Sequence, residues 1–231
     1  MIRIKIGKQQ WQNTRTFTEW VILAMVLAVL SGCAGHETVV PEPLLQESPV
    51  TQGPTVAQLA DGREGFVITE IPQLDNAARL DFQRAVVMLN DGHYEQAVAL
   101  LDKVVEQSPG VSAPYINLAI AYRHLDNLEQ AETHLKAALD LVPWHPAACN
   151  EYGMLYRKTG HFEEARAMYE KALDRFPEYY PAHRNLGILC DLYLGDLECA
   201  LEHYEIYSQA KPEDEKIQLW IADLRNRLKS R

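Results

Sequence analysis

Few residues in this sequence could do covalent chemistry, and their spacing limits what that chemistry would be. Eight histidines are scattered over 231 residues, and none falls in an H-E-x-x-H pattern. His124 and His134 lie near each other in sequence, but no third ligand follows at metal-binding spacing. His93 and His161 directly follow Gly92 and Gly160, turn positions where a polar ring is simply solvated. There is no G-x-S-x-G elbow and no phosphate-binding glycine loop. An enzymatic or metal-binding role would rest on the histidines alone, so the expectation is no catalytic residue, no metal and no cofactor. Positive charge offers more. In a chain of formal charge −10, Arg123, Arg157, Lys158 and Arg184 are candidate anchors, since a guanidinium can hold a carboxylate through two parallel hydrogen bonds.

The elements that must position these cations repeat. Ala97, Ala131, Ala165 and Ala200 are 34, 34 and 35 residues apart. Each follows a turn residue (Gly92, Asp126, Gly160, Gly195) and precedes a proline (Pro109, Pro143, Pro177, Pro212). Small residues at Ala85, Ala119, Gly153 and Gly187 let a second helix come close through those alanines, while bulky neighbours fill the seam. A turn residue joins the two helices and the proline ends the second. One such hairpin cannot bury its apolar face, so hairpins must stack. The second repeat reads Tyr115, Leu118, Ala119, Tyr122, Ala131, Leu135, Pro143; the third reads Cys149, Tyr152, Gly153, Tyr156, Ala165, Tyr169, Pro177. The fourth reads His183, Leu186, Gly187, Cys190, Ala200, Tyr204, Pro212. This pattern resembles the tetratricopeptide repeat, TPR, over four consecutive copies.

The resemblance implies an all-α fold, a right-handed solenoid of helix-turn-helix repeats whose concave groove is lined by the first helices. Carried onto this sequence, the groove holds Phe82 and Val86 in the first repeat, then Ile116, Ile120 and Arg123 in the second. Asn150, Met154, Arg157 and Lys158 follow in the third, then Arg184 and Ile188 in the fourth. The cations among them are either solvated helix ends or anchors for an acidic protein or peptide partner. Asn117 and Asn185 match one asparagine position of the TPR clamps that hold chaperone C-termini. The lysines and second asparagine of that clamp are missing, with Ile116 and Ile120 in their place, so a chaperone clamp is not expected.

Residues 1–32 read as a lipoprotein signal peptide: Arg3, Lys5, Lys8 and Arg15, then an apolar run from Val21 to Leu30, too short for the roughly 20 residues of a membrane span. Leu30-Ser31-Gly32-Cys33 resembles the bacterial lipobox, which implies cleavage before Cys33 and a lipid anchor on its thiol. Ala34, rather than Asp, implies the outer membrane over the inner one in a Gram-negative host. Residues 33–75 read as an acidic, proline-rich flexible tether. Its Phe66–Ile71 run is β-prone and either lies extended against the first hairpin or stays loose. The repeats occupy 76–212. The first has Asp81 and Arg84 where the others are larger or more apolar, which suits an end repeat facing water. Residues 213–231 form a capping helix, acidic at its start and basic at its end, as the helix dipole favours. The fourth repeat is one residue longer, which predicts a lengthened turn at Tyr193–Leu194, with both side chains either near the tip or folded onto the core.

Export to an oxidising compartment would favour disulfides. Cys190, late in one helix, and Cys199, early in the next, are near the closed end of one hairpin; they are either bonded or two small core residues. Cys149 is expected to stay reduced. The acidic balance argues against nucleic acid, whose phosphates call for a basic face. The combined pattern is similar to TPR lipoproteins that assist pilus assembly and secretin insertion, which implies a periplasmic scaffold for protein–protein interaction. An adaptor for cell-wall enzymes or a TonB-type complex is the alternative.

Overall fold

The computed structural model describes residues 54–58 and 66–230. Among them nine α helices follow one another: α1 (Asn76–Asn90), α2 (Tyr94–Gln107), α3 (Ser112–His124), α4 (Leu128–Leu141), α5 (Pro146–Lys158), α6 (Phe162–Arg175), α7 (Tyr180–Leu189), α8 (Leu197–Ala210) and α9 (Glu215–Lys229). Two short strands, β1 (Thr55–Gln58) and β2 (Phe66–Thr69), precede them. None of the described helices is long and apolar enough to cross a membrane.

Local chemistry sets where the helices start and stop. The side chains of Asp75, Asn127, Asp196 and Asp214 accept a hydrogen bond from the backbone N–H three residues on, capping α1, α4, α8 and α9. The chain leaves α1 through Gly92 at φ 81°, in the left-handed region that costs glycine nothing. Asp126 takes the same conformation, φ 61°, at the end of α3. Pro146 and Pro181 sit in the first turns of α5 and α7, where a missing N–H is harmless.

The helices pair as α1/α2, α3/α4, α5/α6 and α7/α8, and α9 packs on α8. The alanines that mark the period, Ala97, Ala131, Ala165 and Ala200, are fully buried at the crossings. Opposite them the seam alternates in bulk. A Cβ built on Gly153 would lie 2.5 Å from the ring of Tyr169, and one on Gly187 would lie 2.5 Å from Tyr204. Both rings are completely buried. Successive first helices also touch: α1 meets α3, α3 meets α5 and α5 meets α7, whereas no pair of second helices packs to a similar extent. The array therefore curves with its first helices inside, which is the TPR solenoid.

Three features differ from the sequence reading. Within the stretch assigned to a flexible tether, β1 and β2 pair antiparallel, with Thr55 opposite Thr69 and Gln58 opposite Phe66. The chain then docks on the second repeat: Glu70 accepts hydrogen bonds from the Ser112 N–H and hydroxyl, both at 2.7 Å. A carboxylate at a helix N-terminus satisfies free N–H groups and the dipole together, so this part of the segment is held although its composition is loop-like. Pro72 packs over Gly110, leaving no room for a Cβ there. Second, Asp81 does not face water. It is 7% exposed, and Lys103 of α2 and Arg84 hold its carboxylate, keeping its pKa below the usual carboxylate value through the Lys103 hydrogen bond above all. Third, the extra residue of the fourth repeat is absorbed inside the helix. Cys190–Leu194 forms a π-helical turn continuing α7.

Candidate functional site

Three of the four cations sit at the C-terminal ends of successive first helices, whereas Arg184 lies in the first half of α7. Arg123 is in the last turn of α3, and Arg157 and Lys158 are in the last turn of α5. Such placement complements the helix dipoles, which is the modest role the sequence allows. The structure separates them further. The Arg123 guanidinium reaches across to Glu151 on α5 at 3.1 Å, with side chains only 17% and 3% exposed. Burial lifts the Glu151 pKa, and the charge of Arg123 opposes that lift without cancelling it. Arg123 is therefore a structural partner between repeats two and three, not a free anchor. Lys158 pairs with Asp126 at 2.6 Å on the surface, where a pair is worth little.

Arg157 and Arg184 form no ion pair among the described residues. Arg157 instead lies over the ring of Tyr193, 5.9 Å from its centroid, in the range of a cation–π contact. Tyr193 also packs on Phe162, the first residue of α6, with centroids 4.8 Å apart. Beside this contact is an open cleft of about 250 Å³ lined by Arg123, Met154, Arg157, Lys158 and Tyr193. Four of the five belong to the groove expected from sequence. Tyr193 does not, although the 35-residue spacing of the fourth repeat marks where the regular pattern breaks.

Other expected groove residues lie in the core. Phe82, Ile116 and Ile188 are 4%, 1% and 8% exposed, so they hold repeats together rather than meet a partner. Asn150 is completely buried, and its side-chain carbonyl accepts a hydrogen bond of 2.8 Å from Asn185 on α7. It joins adjacent repeats, as a buried amide must find partners. Val86, Ile120 and Met154 are half-buried at the edge of the core clusters. Glu151 escaped the sequence reading; its signal is a carboxylate at the position where repeats two and four carry Asn117 and Asn185.

The histidines are placed by packing. His124 stacks on Tyr94 and His134 on Tyr122. His183 and His203 meet Nδ1 to Nδ1 at 2.9 Å, and His183 Nε2–H donates to the Pro177 carbonyl at 2.8 Å. That bond leaves His183 Nδ1 to accept from His203, and burial lowers the pKa of both rings. Among the described residues, the ligand atoms of Cys190, Asp196 and Cys199 come within 4.8 Å of one another. The two sulfurs, however, are joined in a disulfide with Cα atoms 6.0 Å apart. Cys149 is a free thiol whose pKa burial pushes up to about 11. Cys33 lies outside the described residues.

The architecture recurs in other proteins. Tetratricopeptide repeat profiles match residues 80–110, 110–178 and 152–215. No curated protein matches the sequence. Among solved structures, the chain is similar to PilF of Pseudomonas aeruginosa, with 23% identity and a TM-score of 0.62 over 68% of this chain and 71% of that one. It is also similar to TTC0263, a thermophilic TPR protein of Thermus thermophilus, with 23% identity and a TM-score of 0.57 over 64% and 80%. MamA of Desulfovibrio magneticus RS-1 aligns with 23% identity and a TM-score of 0.54 over 68% and 88%. At such identities these likenesses speak to the fold. Together the profile matches run from residue 80 to 215, more than half of the sequence, and the chain belongs to the tetratricopeptide repeat family.

Proposed function

We propose that this protein is a lipid-anchored scaffold of the bacterial envelope that holds an acidic segment of a protein partner on the first-helix face of repeats two to four. TPR arrays present such faces to proteins and peptides, and the family as a whole works by binding rather than by catalysis. The observation that carries the reading is Arg157. It lines an open cleft with no carboxylate of its own, in a chain of charge −10. Arg184, in the first half of the next first helix, likewise forms no ion pair among the described residues, although it does not line the cleft.

The anchor is supported by Leu30-Ser31-Gly32-Cys33 behind its apolar run, and Ala34 favours an array held at the periplasmic side of the outer membrane. Two measurements test the whole. Cys33→Ser should leave the chain unprocessed or free in the periplasm; a normally processed, membrane-bound variant would overturn the anchor. Crosslinking of the lipidated protein in its own envelope should capture a partner, and Arg157→Glu should weaken that capture by about 1–3 kcal/mol with the fold intact. Unchanged capture by Arg157→Glu would return this cation to the role of a solvated helix end.

A further inference from the structure

The turn that closes the fourth hairpin is built differently from the other three. In those, the N–H of His93, Asn127 and His161 bonds to the carbonyl five residues earlier, at Met88, Tyr122 and Tyr156. In the fourth, the Asp196 N–H reaches six residues back, to the Cys190 carbonyl at 3.0 Å. The added residue widens the last turn into a π-helix, and Leu192 and Tyr193 emerge from it 65% and 46% exposed. Phe162 supports the Tyr193 ring from behind, and the ring faces Arg157. The disulfide ties Cys190, the first residue of this turn, to α8. The turn is thus held at both ends, by a covalent bond and by the left-handed Gly195.

This arrangement gives the cleft two unlike walls. One is cationic, with Arg157 in no ion pair among the described residues and Arg123 committed to Glu151. The other is soft and apolar, from Tyr193 and Met154, with Leu192 exposed beside Tyr193 on the same turn. A polyanion is disfavoured by the chain's charge of −10, whereas a single carboxylate next to an apolar side chain complements both walls. We infer that the cleft recognises an aspartate or glutamate of a protein partner together with an adjacent aliphatic residue, and that Tyr193 is the specificity-determining residue. The inference rests on the proposed binding of an acidic segment and names what that segment must contain.

The test uses the full chain in detergent and short fluorescein-labelled peptides with a central Glu-Leu, Glu-Gly or Gln-Leu, read by fluorescence polarisation. The wild type should bind Glu-Leu about tenfold more tightly than either other peptide, the scale of one good interface contact. Tyr193→Ala should abolish the preference for Glu-Leu over Glu-Gly, because the ring that contacts the aliphatic residue is gone, whereas Tyr193→Phe should keep the preference. If Tyr193→Ala still prefers Glu-Leu, or the wild type treats Glu-Leu and Glu-Gly alike, the inference about Tyr193 is overturned while acidic binding stands. If neither Glu peptide binds, or Gln-Leu binds as well as Glu-Leu, the acidic-segment reading itself fails and the inference goes with it.

Discussion

One methyl group at Gly153 tests how the repeats are packed. An alanine Cβ there would meet Tyr169 at 2.5, 2.7 and 2.8 Å, where ordinary carbon contacts are about 3.5–4 Å. The ring is fully buried between α5 and α6, so it cannot swing into solvent. Forcing it aside is overpacking, at about 1–3 kcal/mol; three close atoms on a trapped ring favour the upper end. Alanine is the better helix former and gives back about 1 kcal/mol. The net expectation for Gly153→Ala is a loss of about 2 kcal/mol. The chain carries its own control: where the first-helix residue is Ala85 or Ala119, the facing residue is Leu101 or Leu135, and where it is Gly153 or Gly187, it is Tyr169 or Tyr204. Tyr169→Leu should therefore make room for the methyl group. In urea unfolding followed by circular dichroism, the double variant should be less destabilised than the sum of the two singles by about 3 kcal/mol, the whole overpacking term, because the helix-propensity gain is common to both backgrounds. Additivity within about 0.5 kcal/mol, or a Gly153→Ala protein as stable as the wild type, would refute the account.

Further expectations come from the buried ionisable groups and the covalent linkage. Arg123→Ala should destabilise the array by about 3 kcal/mol, because Glu151 is left buried without its partner, and Arg123→Met with Glu151→Gln should recover most of that loss in the same assay. Since Glu151 has a raised pKa when folded, its contribution to stability falls as pH rises above the ordinary carboxylate value, and Arg123→Ala should extend that fall to higher pH in a pH series of urea midpoints. His145 is the opposite case: burial lowers its pKa from 6.5 to about 4, so the unfolded chain takes up a proton first and stability is lost as pH falls through that window. The loss is at most about 3 kcal/mol, and His145→Gln should flatten this acid limb. Reducing the Cys190–Cys199 bond, which closes a short loop, should cost about 2–3 kcal/mol. Thiol counting on the unreduced, unfolded protein should find neither sulfur free.

The sequence by itself determined the repeat, because a 34-residue period is written in local terms: a small residue at each crossing, a turn residue at each tip, a proline after each pair. These act within one hairpin, where spacing along the chain and distance in space are nearly the same thing. The cluster of Arg123, Arg157, Lys158 and Met154 was legible for that reason, since residues 34 apart take equivalent places on neighbouring first helices. Which of them is free was not legible. That depends on how one helix is rotated against the next, and the rotation gives Arg123 to Glu151, 28 residues away, and buries Asn150 against Asn185, 35 residues away. The strands at 55–58 and 66–69 and the Glu70 contact with Ser112 are of the same kind, since a loop-like composition says little about a carboxylate that finds a helix N-terminus 42 residues on. The spacing of 35 in the fourth repeat announced an extra residue, and only tertiary structure decided where it went. A π-turn inside the helix keeps Gly195 at the tip, and so sets Tyr193 against Phe162 and Arg157 instead of leaving it on a longer loop.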